Sequence, residues 1–410
     1  MKLLFVCGAA FTDDTLRCPS WIRGIIPLLD SEYKVTLLSV DAAADVPREL
    51  TVGKTTVRWI PKNLWKSAEL FAAVAAKESA DVIVLFGTES RHSFEALQLC
   101  KAAGLLDKTV MFAQGMAKAC AVHYAEGVPA KVVGHWTFRD LLRRTNIRRE
   151  QQMMEARAED ERQIITTARH FIGRTTMDQA IIRMYRPDAA YYKCNDVLRG
   201  AFYEGAWQYE RCKKHRIFIS QYYYPLKGFH YLLEAASMLK DKYPDITIAA
   251  AGYNPIRQST VKKEMKDSSY IWWIKSLIRR YGLHDNIELL GELNEEQMKE
   301  EYLKANVFVL PSTIENSPNS LAEAMMLGVP CVASDVGGVS DFADHRQDAY
   351  LYPASATYLL AYYLDTLFAD PAAAAQLGAN GKRRAEREYD PRTNIDTLQR
   401  TFTTIAESSK

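Results

Sequence analysis

The sequence predicts an α/β protein made of two doubly wound units in series, and two observations carry that expectation. Short apolar or β-branched runs alternate with helix-length segments along most of the chain, the pattern of parallel sheets covered by helices on both faces. At 410 residues the chain is long enough for two or three domains with substantial cores.

The first unit opens with a strand over Lys2–Cys7, and VTLLSV (35–40), VRWI (57–60), DVIVLF (81–86) and TVMFAQ (109–114) supply further strands. A long helical stretch from about Trp136 to Ala168 and a strand and turn in HFIGRT (170–175) complete it. The aperiodic LRGAFYEGAWQYERCKKH, from Leu198, marks the join. Strands resume with RIFIS (216–220), ITIAAAG (246–252), IELLG (287–291), VFVLP (307–311) and PCVAS (330–334). Helical patterns from Ala354 to Arg387 close the second unit, and Asp390-Pro391 breaks the chain before one last helix. The expected domains are therefore 1–200, 201–390, and a C-terminal helix at 391–410 that can cross back to the N-terminal domain.

Lys+Arg 52 against Asp+Glu 50 gives a net charge of +2, so no overall field draws the chain to nucleic acid. The seven cysteines are odd in number, scattered and without a C-x-x-C pair, which reads as reduced thiols in a cytoplasmic protein. The apolar run at the N-terminus is too short for a signal peptide, and no segment approaches the 18 apolar residues of a membrane-spanning helix.

Chemistry concentrates in VFVLPSTIENSPNSLAEAMMLGVPCVASDVGG, residues 307–338, which reads as strand, loop, helix and strand. Ser317 is placed as N-cap and Pro318 at the first helical position, with Gly328 and Pro330 ending the helix. The amides of its first turn, at Asn319, Ser320 and Leu321, would lie at the positive end of the helix dipole and form a phosphate site. Glu315 precedes this turn and Glu323 follows it. Two carboxylates beside an anion site suit a ligand whose phosphates carry hydroxyl-rich neighbours, as a nucleotide sugar does.

Glu315-x7-Glu323 with Asn319, Ser320 and Leu321 between, then Gly328-Val329-Pro330 and Asp335-Val336-Gly337-Gly338, resembles the donor-binding region of retaining glycosyltransferases of family 4. The likeness extends to ISQYYYPLKGFHYLLEAASMLKDKYPDITIAAAG (219–252), HFIGRTTMDQAIIRMYRP (170–187) and the FAQG turn at 112–115. It implies the GT-B fold, two Rossmann-like doubly wound domains facing across a cleft, with the acceptor on the N-terminal side and the nucleotide-sugar donor on the C-terminal side. It also implies that Lys227 stabilises charge on the leaving diphosphate and that Glu315 meets sugar hydroxyls. Glu323 would take the ribose, and Asn319, Ser320 and Leu321 the phosphates or sugar. Gly228 opens the helix behind Lys227, and base recognition falls near Leu290. The residues themselves agree, because Lys227 and the helix end behind Gly228 would address one anion.

The chain departs from the family pattern in three places. Where members carry an Arg before the lysine, Gln221 or Tyr222 stands here; a neutral donor replaces a bidentate cation. Where members often hold a His toward the sugar, this chain has Gln114-Gly115, with His123 nearby as a second candidate for a sugar or acceptor contact. The Gly-rich turn after the first strand is reduced to Gly8-Ala9-Ala10. There is no Asp-x-Asp triplet, so no metal or other cofactor is expected, and Lys227 and helix ends would do a metal's electrostatic work.

Residues 136–149, WTFRDLLRRTNIRR, hold Arg139, Arg143, Arg144, Arg148 and Arg149 among apolar residues. A basic amphipathic helix there would lie on an anionic membrane, placing the protein peripherally on the inner face; Glu150, Glu155, Glu159, Asp160 and Glu161 could instead pair with it. The expected reaction is retaining, metal-independent sugar transfer from a nucleotide-diphosphate sugar to a hydroxyl of a glycan or lipid-linked acceptor, in cell-surface polysaccharide or glycolipid synthesis. The alternatives are a degenerate nucleotide-sugar-binding scaffold and a nucleotide-sugar epimerase on the same fold.

Overall fold

Runs of Val, Leu, Ile and Phe without polar alternation make strands buried on both faces, and such strands pair in parallel under helices. The computed structural model describes residues 1–7, 22, 24–29, 33–41, 48–61, 68–253 and 266–409. They divide into two compact units: Met1–Lys118, Ala156–Arg199 and Tyr389–Lys410 form one, and Ala119–Glu155 and Gly200–Glu388 form the other.

The first unit contains β1 (Lys2–Cys7), β2 (Lys34–Asp41), β3 (Arg48–Val52), β4 (Thr55–Pro61), β5 (Val82–Phe86), β6 (Thr109–Phe112), β7 (His170–Gly173) and β8 (Ala190–Lys193). They form one sheet in the order β3-β4-β2-β1-β5-β6-β7-β8, parallel except for the β3–β4 pair. Phe5 of the central strand meets Phe86 edge-on at 5.2 Å and lies 6.3 Å from Phe402 of the helix Pro391–Ser408. That last helix is thus part of this core, and Asp390 caps it by accepting from the Thr393 amide at 2.7 Å.

The second unit contains β9 (Arg216–Ile219), β10 (Thr247–Ala251), β11 (Ile287–Gly291), β12 (Val307–Leu310), β13 (Cys331–Ser334) and β14 (Tyr350–Tyr352). Its sheet runs β11-β10-β9-β12-β13-β14, with every neighbouring pair parallel. The two units are Rossmann-like, as the alternation predicts.

Four expectations need correction. Strands β3, β8 and β14 were missed, because each is short and lies at or beside a sheet edge where apolar demand is low. The helix expected over 136–168 is two helices, Phe138–Arg143 and Ile147–Thr167, separated where Arg144 turns left-handed at φ 54°. Residues 119–155, placed in the first domain on chain order, pack with the second unit. There the Thr137 hydroxyl donates to Asp267 O at 2.7 Å and Asp140 accepts from the Ser269 amide at 2.9 Å. Finally, the helix Asn319–Met326 starts one residue late, since Pro318 is its N-cap at φ −77°, ψ 98° and the Ser317 hydroxyl bonds to nothing.

That helix is seated by close backbone approach. Gly328 ends it at φ 78°, and a Cβ on Gly378 of the helix Pro371–Glu388 would lie 2.2 Å from Gly328 O. Gly378→Ala gains about 1 kcal/mol of helix propensity but drives a methyl into a backbone oxygen, and overpacking costs about 1–3 kcal/mol. Chemical denaturation is expected to show the variant less stable than the parent; equal or greater stability would contradict the close approach.

Candidate functional site

Adjacent parallel strands release their loops side by side at the carboxyl edge of a sheet, where open α/β sheets bind ligands. In the second unit β9 and β12 are such neighbours, with Ile217 paired to Val307 and Phe218 to Phe308. β9 leads through Ser220–Tyr224 into a tight turn, Pro225–Lys227, then Gly228 and the helix Phe229–Leu239. β12 leads through residues 311–318 into the helix Asn319–Met326.

Gly228 is required twice. It takes φ 62°, and a Cβ there would lie 1.8 Å from Pro311 O, so only a residue without a side chain lets the two loops touch. The Thr313 amide then donates to Leu226 O at 2.9 Å. With the loops locked, Lys227 Nζ donates to Glu315 Oε1 at 2.6 Å, and the same oxygen accepts from the Ser312 hydroxyl at 2.7 Å. The Glu315 carbonyl accepts from the Gly338 amide at 3.0 Å, and the Ser334 hydroxyl donates to Ser312 O at 2.6 Å. Lys227 and Glu315 side chains are 19% and 13% exposed. Burial pulls the Lys227 ammonium down, but Glu315 and Tyr224 outweigh it and hold the pKa above the ordinary lysine range. The lysine therefore stays charged throughout the neutral range.

The neighbouring helix supplies the second anion-facing element. Because it starts at Asn319, the Leu321 amide is committed to Pro318 O at 3.0 Å, and the first-turn amides of Asn319 and Ser320 have no intrahelical acceptor. The Asn319 Oδ1 is buried without a partner as well. Glu323 lies in the second turn, buried, with Tyr302 OH donating to its Oε2 at 3.3 Å and to Ser320 O at 3.0 Å. Gln221 is exposed and accepts from Tyr224 OH at 3.2 Å, whereas Tyr222 is wholly buried. Of the two candidates for the position before the lysine, Gln221 is thus the one that faces solvent. Leu290 is half-buried near the end of β11, where the Gly252 amide donates to Gly291 O at 2.8 Å. His123 ends the helix Ala117–His123, half-exposed, with Nδ1 at 2.5 Å from Glu126 Oε2; its carbonyl accepts from the Thr313 hydroxyl at 3.1 Å. Gly8 lies outside the described residues.

The first unit carries a polar cluster of its own at the carboxyl ends of β5, β6 and β7. Gln114 Oε1 accepts from Arg174 at 3.0 Å, and buried Arg174 also donates to Ala113 O at 2.9 Å and pairs with Asp196. Beside it, Glu89 accepts from the Gly115 amide at 3.2 Å, and a Cβ on Gly87 would lie 3.0 Å from its carboxyl oxygen. Burial raises the Glu89 pKa to about 7, with Glu161 adding to the rise and two backbone N–H groups and Arg174 opposing it. Sequence reasoning missed Ser312, Tyr302, Glu89 and Arg174. Ser312 follows from the loop register and Tyr302 reaches the site from the helix Glu295–Lys304; the last two sit at strand ends that the alternation does mark. Among the described residues, no group of three or more His, Cys, Asp or Glu is placed to hold a metal ion.

This loop pair lies inside the stretch that a family model matches. Residues 209–384 match the family model described as glycosyl transferases group 1. The chain is 35% identical over 116 residues to an exopolysaccharide phosphotransferase of Streptomyces coelicolor, covering 28% of this chain and 12% of that protein. It is 25% identical over 185 residues to an uncharacterized glycosyltransferase of Bacillus subtilis, 45% of this chain and 48% of the other. An amylovoran biosynthesis glycosyltransferase of Erwinia amylovora is 25% identical over 170 residues, 40% and 38%. The matched part is thus less than half the length of each of these relatives. Among solved structures, sucrose-phosphate synthase from Thermosynechococcus elongatus superimposes with TM-score 0.71 at 16% identity, covering 98% of each chain. HepE from Anabaena, in complex with UDP-glucose, gives TM-score 0.67 at 15% identity, over 98% of this chain and 100% of that one. The fold is of the GT-B type, with two Rossmann-like units.

Glu89 offers a check on the first unit. An acid held near 7 in the folded state, against 4.5 ordinarily, keeps its proton after the unfolded chain has released one, so stability falls as pH rises through that window. The loss is up to about 3 kcal/mol. Glu89→Gln is expected to flatten the stability profile between those pH values in thermal unfolding, while leaving stability at acidic pH near that of the parent. An unchanged profile would contradict the burial of this carboxyl group.

Proposed function

We propose that this protein is a retaining glycosyltransferase of family 4 that moves a sugar from a nucleotide-diphosphate sugar to a hydroxyl of a glycan or lipid-linked acceptor, without a metal ion. The observation that carries this reading is the Lys227–Glu315 pair, fixed by the Gly228–Pro311 contact between two loops at the sheet's carboxyl edge. A cation and exposed helix amides suit a diphosphate, and a carboxylate beside them suits sugar hydroxyls. The relative named for amylovoran biosynthesis and the UDP-glucose complex of HepE support a nucleotide-sugar donor and a role in polysaccharide synthesis.

In this mechanism the bond between the anomeric carbon and the diphosphate oxygen breaks as Lys227 and the Asn319 and Ser320 amides stabilise the charge gathering on the leaving group. The acceptor oxygen bonds to the anomeric carbon on the same face, and its proton passes to the departing diphosphate. Glu315 orients the sugar through its hydroxyls, Glu323 the ribose, and Leu290 marks the base pocket. Gln114 and His123 are assigned to the sugar or acceptor. The absence of Asp-x-Asp in the sequence agrees with metal-independent charge stabilisation. We place the reaction in the cytoplasm; seven scattered cysteines without a C-x-x-C pair fit that location.

One observation favours a second reading. Exposed, neutral Gln221 stands where the family carries a cation, and a missing charge-assisted contact to a diphosphate is worth about 1.5–3 kcal/mol. A binding protein that has lost transfer would show this change. Acceptor-dependent release of nucleoside diphosphate from a panel of nucleotide sugars separates the readings, and donor conversion without acceptor would identify an epimerase. For a transferase, Lys227→Ala and Glu315→Ala are each expected to cut turnover at least a hundredfold with far-UV circular dichroism unchanged, removal of one charge-stabilising group costing about 3 kcal/mol of barrier. Parent-like turnover in either folded variant would remove it from the site.

A further inference from the structure

Short helices normally bury their apolar side chains and expose their polar ones, and the helix Phe138–Arg143 does the reverse. Its buried residue is Asp140, fully enclosed, which accepts from the Ser269 amide at 2.9 Å and from Arg139 at 3.1 Å. Phe138, Leu141 and Leu142, at i, i+3 and i+4, are 50%, 60% and 71% exposed, and Trp136 just before them is 40% exposed. Four large apolar side chains in seven residues make a patch of the kind that marks an interaction surface.

The cations of this segment adjoin that patch, Arg143 and Arg144 in sequence and Arg148 and Arg149 through Trp136. Arg143 and Arg144 follow Leu142 directly and are exposed, and the left-handed turn at Arg144 ends the helix there. Arg148 and Arg149, also exposed, line an open recess of about 420 Å³ together with Gly134, Trp136, Asn146 and Gln152. Among the described residues these four arginines form no ion pair, Arg149 reaching only Gln152 at 3.5 Å. Of the downstream acids, Glu150 accepts from Tyr124 at 3.0 Å, Glu159 pairs with Arg162, Asp160 pairs with Arg91 at 2.7 Å and Glu161 accepts from Thr88 at 2.9 Å, while Glu155 is exposed and pairs with none of these arginines.

We propose that residues 136–149 form a docking face for an anionic lipid bilayer, with Phe138, Leu141 and Leu142 entering the acyl boundary and Arg143, Arg144, Arg148 and Arg149 meeting lipid phosphates. A soluble polyanion would use the arginines and leave the leucines idle. The combination of both on one exposed segment is what an interfacial anchor requires. The recess between Trp136 and Arg148 gives a single headgroup phosphate a place to sit. The face is independent of the Lys227–Glu315 chemistry, so its failure leaves that reading intact.

The test is co-sedimentation of the full chain with vesicles of phosphatidylcholine alone and of phosphatidylcholine mixed with phosphatidylglycerol. Binding is expected only to the anionic vesicles, weakening as salt is raised. Each of Arg143→Ser and Arg148→Ser should lower the partition constant about fivefold, and the double change Leu141→Ser with Leu142→Ser at least tenfold. All these positions are exposed, and an unchanged melting temperature confirms folding. No binding to anionic vesicles at low salt overturns the proposal. So does binding that the arginine changes abolish and the leucine changes leave intact, which would make the face a polyanion site.

Discussion

The candidate site depends on one steric fact: two loops from neighbouring strands touch because Gly228 has no side chain. β9 and β12 share a register, so their following loops start from the same edge. The backbone of one then closes on Pro311 of the other at a distance that any Cβ would block. Everything chemical in the second unit follows from this contact. It fixes Lys227 against Glu315, draws Ser312 onto the same carboxylate oxygen, and brings Thr313 under Leu226. A pair as enclosed as Lys227 and Glu315 contributes little net stability, because desolvation offsets much of the attraction. Its geometry is better accounted for by what it presents to the open edge of the sheet.

A charged lysine held beside two helix starts makes a site that is positive locally in a protein whose net charge is only +2. Fixed dipoles and one ammonium act where water is partly excluded, which gives a few groups the effect of many. Glu315 moderates that field. Its Oε1 is shared between Lys227 and Ser312, and in the proposed reaction it would accept from sugar hydroxyls as a phosphate takes over part of the lysine's pairing. The second concentration of positive charge, at Arg143 to Arg149, is on a separate segment and faces outward with apolar neighbours.

Much of this was legible in the sequence. The strands of both cores announce themselves as unbroken apolar runs, and Lys227-Gly228 and Glu315-x7-Glu323 lie where strand, loop and helix signals converge. What was not legible has physical causes. Edge strands such as Tyr350–Tyr352 need few apolar residues, so they leave no run to read. The break at Arg144 carries no Gly or Pro to announce it; the residue takes φ 54° with its amide donating to the Asp140 and Leu141 carbonyls. Pro318 displaced Ser317 as N-cap for a reason of backbone angle that composition does not display. Glu89 and Arg174 are not legible in the sequence because the burial that raises the Glu89 carboxyl to about 7, and the buried pairing of Arg174 with Asp196, are assembled only by the fold.

The central claim is that Lys227 holds a diphosphate while Glu315 tempers its charge, and titration calorimetry with nucleoside diphosphates tests it most directly. Lys227→Met should weaken binding about tenfold to a hundredfold, the loss of one charge-assisted contact. Glu315→Gln should bind the same nucleoside diphosphate at least as tightly as the parent, since the ammonium is then released to the phosphates. Parent-like affinity in Lys227→Met, or equal weakening in both variants, would contradict the account.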